Sequence, residues 1–171
     1  APHKPLLLLA LIDLVARGSV ISPFIDVRED LVELNELFTN YWRQVVPLRQ
    51  TSSIAFPFSR LHNEPFWELL PVESQELDRS TINAINTVNQ LRKVAIGGRI
   101  DADLFQLLQQ EKNRAALRRA LMESCFSSEA ISALMNQAAI HAESSSYNQE
   151  LLLKAHQPLV KEVVASDKYR P

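Results

Sequence analysis

The residues of this chain best placed for chemistry stand in two short stretches. The first is "APHKPLLLLALIDLVARG", where His3 and Lys4 sit between two prolines ahead of an apolar run. A helix N-terminus exposes unpaired N–H groups and partial positive charge. Most helices answer with Ser, Thr, Asp or Asn at the cap. Here a His-Lys pair precedes Pro5 with no acid near it in the sequence, so side-chain charge adds to the dipole and the end suits a phosphate. The plainer alternative is a lysine reaching into water from a frayed chain start. The second stretch is "IAFPFSRLHNEPFWELLP". Phe56, Pro57 and Phe58 make a rigid, donor-poor apolar unit with Arg60 close by. Aromatic residues also build cores, as expected of Phe66 and Trp67, and spacing alone does not separate a pocket from a core.

Other chemistry is missing from the pattern. No Gly-rich phosphate loop, CxxC pair, HExxH or GxSxG occurs. The four histidines, His3, His62, His141 and His156, have no partner at metal-ligand spacing. Cys125, the one cysteine, falls on an apolar helix face and reads as a buried small hydrophobe. These features point to a binding module without catalytic residues, metal or cofactor.

The elements that must position the two stretches are mostly helical. Residues 5–17 read as a helix, with Pro5 at its first position and Gly18 as its left-handed stop. Residues 27–46 follow, with Asp26 and Glu29 at capping-box spacing. "AFPFSRL" and "PFWELL" read as a hairpin or two brief strands, with Pro57 at an edge or bulge. Helical periodicity returns over 80–95 until Gly97-Gly98 breaks it. Asp101 opens a helix through Leu108, 111–126 is amphipathic, and a Ser-capped helix begins after Phe126. "ESSSYNQ" reads as a weak point, and Pro158 interrupts the helical stretch after it. The expected fold is mainly α, a helical domain with a small two-stranded insertion.

Composition sets the outer limits. At 171 residues the chain suits one domain plus an appendage, and a single cysteine fits a reducing cytoplasm. The run from Leu6 to Val15 is too short for a membrane span and lacks a signal-peptide cleavage pattern. The net charge of −2 is unlike a general nucleic-acid binder. Charge is segregated, however. Residues 1–12, 37–63 and 79–100 contain no Asp or Glu, yet carry Lys4, Arg43, Arg49, Arg60, Arg79, Arg92, Lys93 and Arg99. If these stretches meet in the fold, they make a positive face on an acidic body.

"PHKPLLLLALIDL" together with "FPFSRLHNEPFWELLP" resembles the sulfur-binding domain of phosphorothioation-dependent type IV restriction endonucleases, over residues 2–126. Related HNH endonucleases carry a similar N-terminal domain. The resemblance implies binding of double-stranded DNA whose backbone holds sulfur in place of one non-bridging phosphate oxygen. By that resemblance His3, Lys4 and Arg79 would hold phosphate, and Phe56, Pro57, Ser59 and Arg60 would wall the sulfur cavity. Many members have Tyr where this chain has Phe56, which removes one hydroxyl. It further implies a recognition domain over 1–126 and a helical extension over 127–171. The tail "ASDKYRP" is similar to the lead-in to an HNH nuclease domain. A prokaryotic, cytoplasmic protein that needs no cofactor and pairs as a homodimer through its full length fits the same picture. Two rivals stay open: a protein-interaction domain docking through 127–165 by Leu134, Ile140 and Leu151–Leu153, and a reader of methylated bases.

Overall fold

The structure is a computed structural model that describes residues 2–47 and 49–144. The chain divides into two compact units, Ala1–Gln137 and Ala138–Pro171, and the architecture here is that of the first. "ESSSYNQ" from Ser145 on, Leu151–Leu153, Pro158 and "ASDKYRP" lie outside the described residues.

Nearly every face of the first helix is apolar, and that puts it at the centre. Helix α1 (His3–Ala16) buries Leu6, Leu7, Leu9, Ala10, Leu11, Ile12, Leu14 and Val15. It begins two residues earlier than Pro5 suggests. The first helical hydrogen bond runs from Leu6 N–H to the Pro2 carbonyl (3.1 Å), so the N–H that Pro5 lacks has no role there. His3 and Lys4 therefore belong to the first turn. Its other end closes as expected on Gly18 (φ +76°), with Ser19 N–H to Leu14 O at 3.0 Å and Gly18 N–H to Val15 O at 3.1 Å.

Strand β1 (Phe24–Asp26) leads into helix α2 (Leu31–Val45). The helix starts later than residue 27 because Val27 continues the sheet, donating to Ile96 O at 3.1 Å. The Asp26 carboxylate caps the intervening turn, accepting from Arg28 N (2.6 Å) and Glu29 N (3.1 Å). α2 packs on α1 through Leu34, Leu37, Phe38, Tyr41 and Trp42.

The largest departure from the sequence expectation comes next. "AFPFSR" is not a strand but helix α3 (Ala55–Arg60), continued by a 3-10 turn over Leu61–Asn63. Pro57 is its third residue, where no backbone N–H is needed, and Ile54, Phe58 and Leu61 are buried at helical spacing. Strand β2 (Trp67–Pro71) follows, then α4 (Arg79–Asn83), α5 (Val88–Val94) and β3 (Ala95–Ile100). The single helix expected over 80–95 is thus two. Asp78 caps the first, and a Thr87–Gln90 capping box starts the second.

β3 is the middle strand of an antiparallel three-stranded sheet in the order β1-β3-β2, with Gly98 opposite both Ile25 and Leu69. This replaces the expected two-stranded insertion, whose partners were sought within one segment. Gly97-Gly98 does not break a helix there but lets neighbours close over the strand. A Cβ on Gly97 would lie 2.3 Å from Ile25 O, and one on Gly98 would lie 2.1 Å from the Trp67 ring.

Helix α6 (Ala102–Leu107) is capped by Asp101, as expected, and α7 (Glu111–Cys125) packs back on α1. A further helix opens at residue 128, with Ser127 Oγ accepting from Ala130 N (3.2 Å). Cys125 is exposed, a correction to its reading as a buried hydrophobe, because α7 turns Met122 inward instead. Of the residues named for protein docking, Leu134 is buried and Ile140 is exposed. Among the described residues no helix is long and apolar enough to cross a membrane.

Candidate nucleic-acid interface

Three elements converge on the head of α1. The His3 ring lies between Trp42 of α2 (centroids 4.6 Å apart) and Phe56 of α3 (4.8 Å), tilted about halfway to each. Its Nδ1 is buried without a hydrogen-bond partner among the described residues. Burial holds the imidazole below its ordinary pKa, so at neutral pH it is an uncharged ring. The pair read as two cations is therefore one cation and one aromatic slab.

The Phe56 ring also carries the Arg60 guanidinium, 4.1 Å from the ring centroid. Phe56 is 37% exposed, while Pro57 behind it is buried. Arg60 is fixed from below. Its guanidinium donates to Asn83 O (2.9 Å) and to Ile85 O, carbonyls at the end of α4. It also donates to Ser59 Oγ at 3.2 Å. The Ser59 hydroxyl donates in turn to Ala55 O (2.7 Å) and is fully buried. Ser59 thus stands behind Arg60 and sets its position. Burial draws the Arg60 pKa below its ordinary value.

Lys4 does meet an acid, one supplied by the fold. Its Nζ lies 2.9 Å from Glu64 Oε1, sixty residues on. Arg79 opens α4 and is exposed, at the end of that helix opposite the carbonyls that hold Arg60. Of the seven residues singled out, the structure brings His3, Phe56 and Arg60 into one contiguous stack with Pro57 and Ser59 beneath it. Lys4 stands beside it, bound to Glu64, and among the described residues Arg79 makes no hydrogen bond or ion pair with any of them.

The three acid-free stretches do meet. His3 of the first touches Trp42 and Phe56 of the second, and Arg60 of the second binds Asn83 and Ile85 of the third. Arg43, Arg49, Arg79 and Lys93 are exposed and in no ion pair among the described residues. A cavity of about 370 Å³ opens beside Trp42, lined by Thr39, Arg43, Gln50 and Thr51 among others. Sequence reasoning missed Trp42 and Glu64. Trp42 was visible only as a core residue four after Phe38, and no local signal tied either to the head of α1.

Chemically, the stack offers a polarizable face, a fixed cation and a neutral ring within one surface. Among the described residues no group of three or more His, Cys, Asp or Glu is placed to hold a metal ion. Comparison with protein families finds that the model of the ScoMcrA-like DNA sulfur-binding domain matches residues 1–143. Comparison with curated proteins finds no match.

Proposed function

The chain belongs to the family of ScoMcrA-like DNA sulfur-binding domains, and from that premise we propose how it reads phosphorothioate DNA. It is a DNA-binding module for a backbone in which sulfur replaces one non-bridging oxygen. The observation that supports a site at the head of α1 is the His3–Phe56–Arg60 stack. Sulfur is larger and more polarizable than oxygen and a poorer hydrogen-bond acceptor. Against the Phe56 ring, backed by the buried Pro57, it gains dispersion contacts and gives up little hydration. An ordinary phosphate oxygen on the same surface gives up hydrogen bonds to water, at about 1–3 kcal/mol for each unmade bond. Arg60, with Ser59 setting its position, holds the charge of the linkage, and His3 supplies a neutral N–H or lone pair. Arg79 takes a flanking phosphate and contributes to the salt-dependent part of binding, and Lys4 adds to it only where Glu64 yields the lysine.

In this reading the DNA contacts lie within 1–126, and 127–171 is an extension leading to an HNH nuclease that the module directs to sulfur-marked DNA. The protein then works in a prokaryotic cytoplasm, with pairing of two copies a property of the full-length chain.

The test is a fluorescence-anisotropy titration of three otherwise identical duplexes at physiological salt: unmodified, carrying one phosphorothioate, and cytosine-methylated. Binding at least about tenfold tighter to the sulfur duplex is expected, one tenfold step being 1.4 kcal/mol. Phe56→Ala should abolish that preference while leaving the melting temperature nearly unchanged. Equal binding to all three duplexes overturns sulfur selectivity. Preference for the methylated duplex moves the reading to base recognition, and binding to none moves it to protein docking.

A further inference from the structure

We propose that Glu64 acts through Lys4: it occupies the lysine in the free protein and so lowers the salt-dependent affinity for any duplex, leaving binding to depend on the sulfur contact. The inference rests on the reading of the head of α1 as the DNA-facing site.

Lys4 lies in the first turn of a helix whose N-terminus has no side-chain cap and no acid in that turn. Helix dipole and cation together make this end attractive to any phosphate, marked or not. A module that must pass over unmodified DNA gains nothing from such a general attraction. The fold places a carboxylate on it. Lys4 Nζ and Glu64 Oε1 are 2.9 Å apart, with side chains 35% and 38% exposed.

Glu64 is not a loose surface acid. Its N–H donates to Leu61 O at 2.8 Å, closing the 3-10 turn, and its carbonyl accepts from Trp67 N at 3.3 Å. Trp67 is itself tied to α3 by its indole N–H to Phe58 O at 3.0 Å. One continuous segment, α3 with its 3-10 turn, therefore presents Phe56, Arg60 and Glu64 in fixed relation. The carboxylate meets Lys4 while the ring meets its neighbour, His3.

The consequence follows from competition. A phosphate reaching a free lysine releases a condensed counterion, which is the source of salt-dependent affinity. A phosphate reaching Lys4 must displace an internal carboxylate and leave it facing the DNA, so little of that gain is realised. A half-exposed pair is weak enough to yield. Sulfur contact on the Phe56 ring does not pass through Lys4, so modified duplex keeps that contribution while the affinity common to both duplexes falls.

Binding of unmodified and single-phosphorothioate duplexes would be measured between 50 and 200 mM salt for wild type, Glu64→Gln, Lys4→Met and the double variant. Melting temperatures confirm that each is folded. Glu64→Gln should bind unmodified duplex about two- to fivefold tighter, the worth of an exposed ion pair. The slope of log affinity against log salt should steepen by about 0.9, one additional phosphate. Modified duplex should gain by the same factor, so that the preference for sulfur stays as in wild type. In the Lys4→Met background the same substitution should change little. An equal gain in that background overturns the proposal, since Glu64 would then repel DNA directly. An unchanged affinity and slope in Glu64→Gln overturns it too, with the sulfur reading intact. Wild type binding neither duplex overturns both together.

Discussion

His3 shows at the scale of one residue how position changes chemistry. Next to Lys4 in the sequence it reads as a second cation, yet burial at the contact with Trp42 and Phe56 keeps it neutral. A histidine whose native pKa is depressed binds protons less readily than it does unfolded. Stability from this group is therefore complete above the ordinary value near 6.5 and falls as the pH drops through that value towards the native pKa. In an NMR titration the His3 ring should show its midpoint below 6.5, and a midpoint at or above that value would remove the account of the stack as a neutral slab. His3→Gln should flatten the loss of stability to urea between pH 7.5 and 5.5 relative to wild type. The legible part of this residue was its place at a helix head. Its protonation state was not, because Trp42 and Phe56 come from other elements.

At the scale of elements, the local signals that worked were those closed within a turn: Gly18, Asp101, Ser127 and the run of leucines in α1. "AFPFSR" failed because aromatic content suggests a strand, while the spacing of Ile54, Phe58 and Leu61 is helical. Reading that periodicity first would have placed Phe56 on the exposed side of α3, one position from buried Ala55 and Pro57. The Thr87–Gln90 box was likewise present in the sequence and went unread. Gly97-Gly98 illustrates the opposite case, since a strand that needs glycine for its neighbours looks locally like a breaker. Gly98→Ala would drive a methyl to 2.1 Å from the Trp67 ring. A loss of about 3 kcal/mol in urea unfolding is expected from such overpacking. A variant as stable as wild type would mean that Trp67 has room to move.

At the scale of the whole molecule, Asp13 is the polar tie in an apolar centre. From α1 it accepts the Tyr41 hydroxyl of α2, and Arg118 of α7 closes on it with Nε 2.7 Å from Oδ1 and Nη2 3.2 Å from Oδ2. Burial first, and then the Asp13 charge, raise the Tyr41 hydroxyl pKa, so Tyr41 remains a donor throughout the working range. Asp13→Ala leaves Tyr41 and Arg118 without their acceptor and should cost about 2–4 kcal/mol in urea unfolding. DNA selectivity should persist at temperatures where the variant is folded, since α3 and the head of α1 are untouched. A loss of selectivity in the folded variant would show that the helix packing itself shapes the site.

The sequence by itself determined that the chain is mainly helical, that α1 is buried and ends at Gly18, and which two stretches carry the family pattern. These depend on interactions between residues a few positions apart, where composition and spacing are sufficient. Only the tertiary structure decided that Glu64 meets Lys4, that His3 lies between Trp42 and Phe56, and that Arg60 is held by the end of α4. It also decided that three distant segments form one sheet. Such contacts arise when elements far apart in the chain pack against a common core, and neither partner carries a local mark of the other.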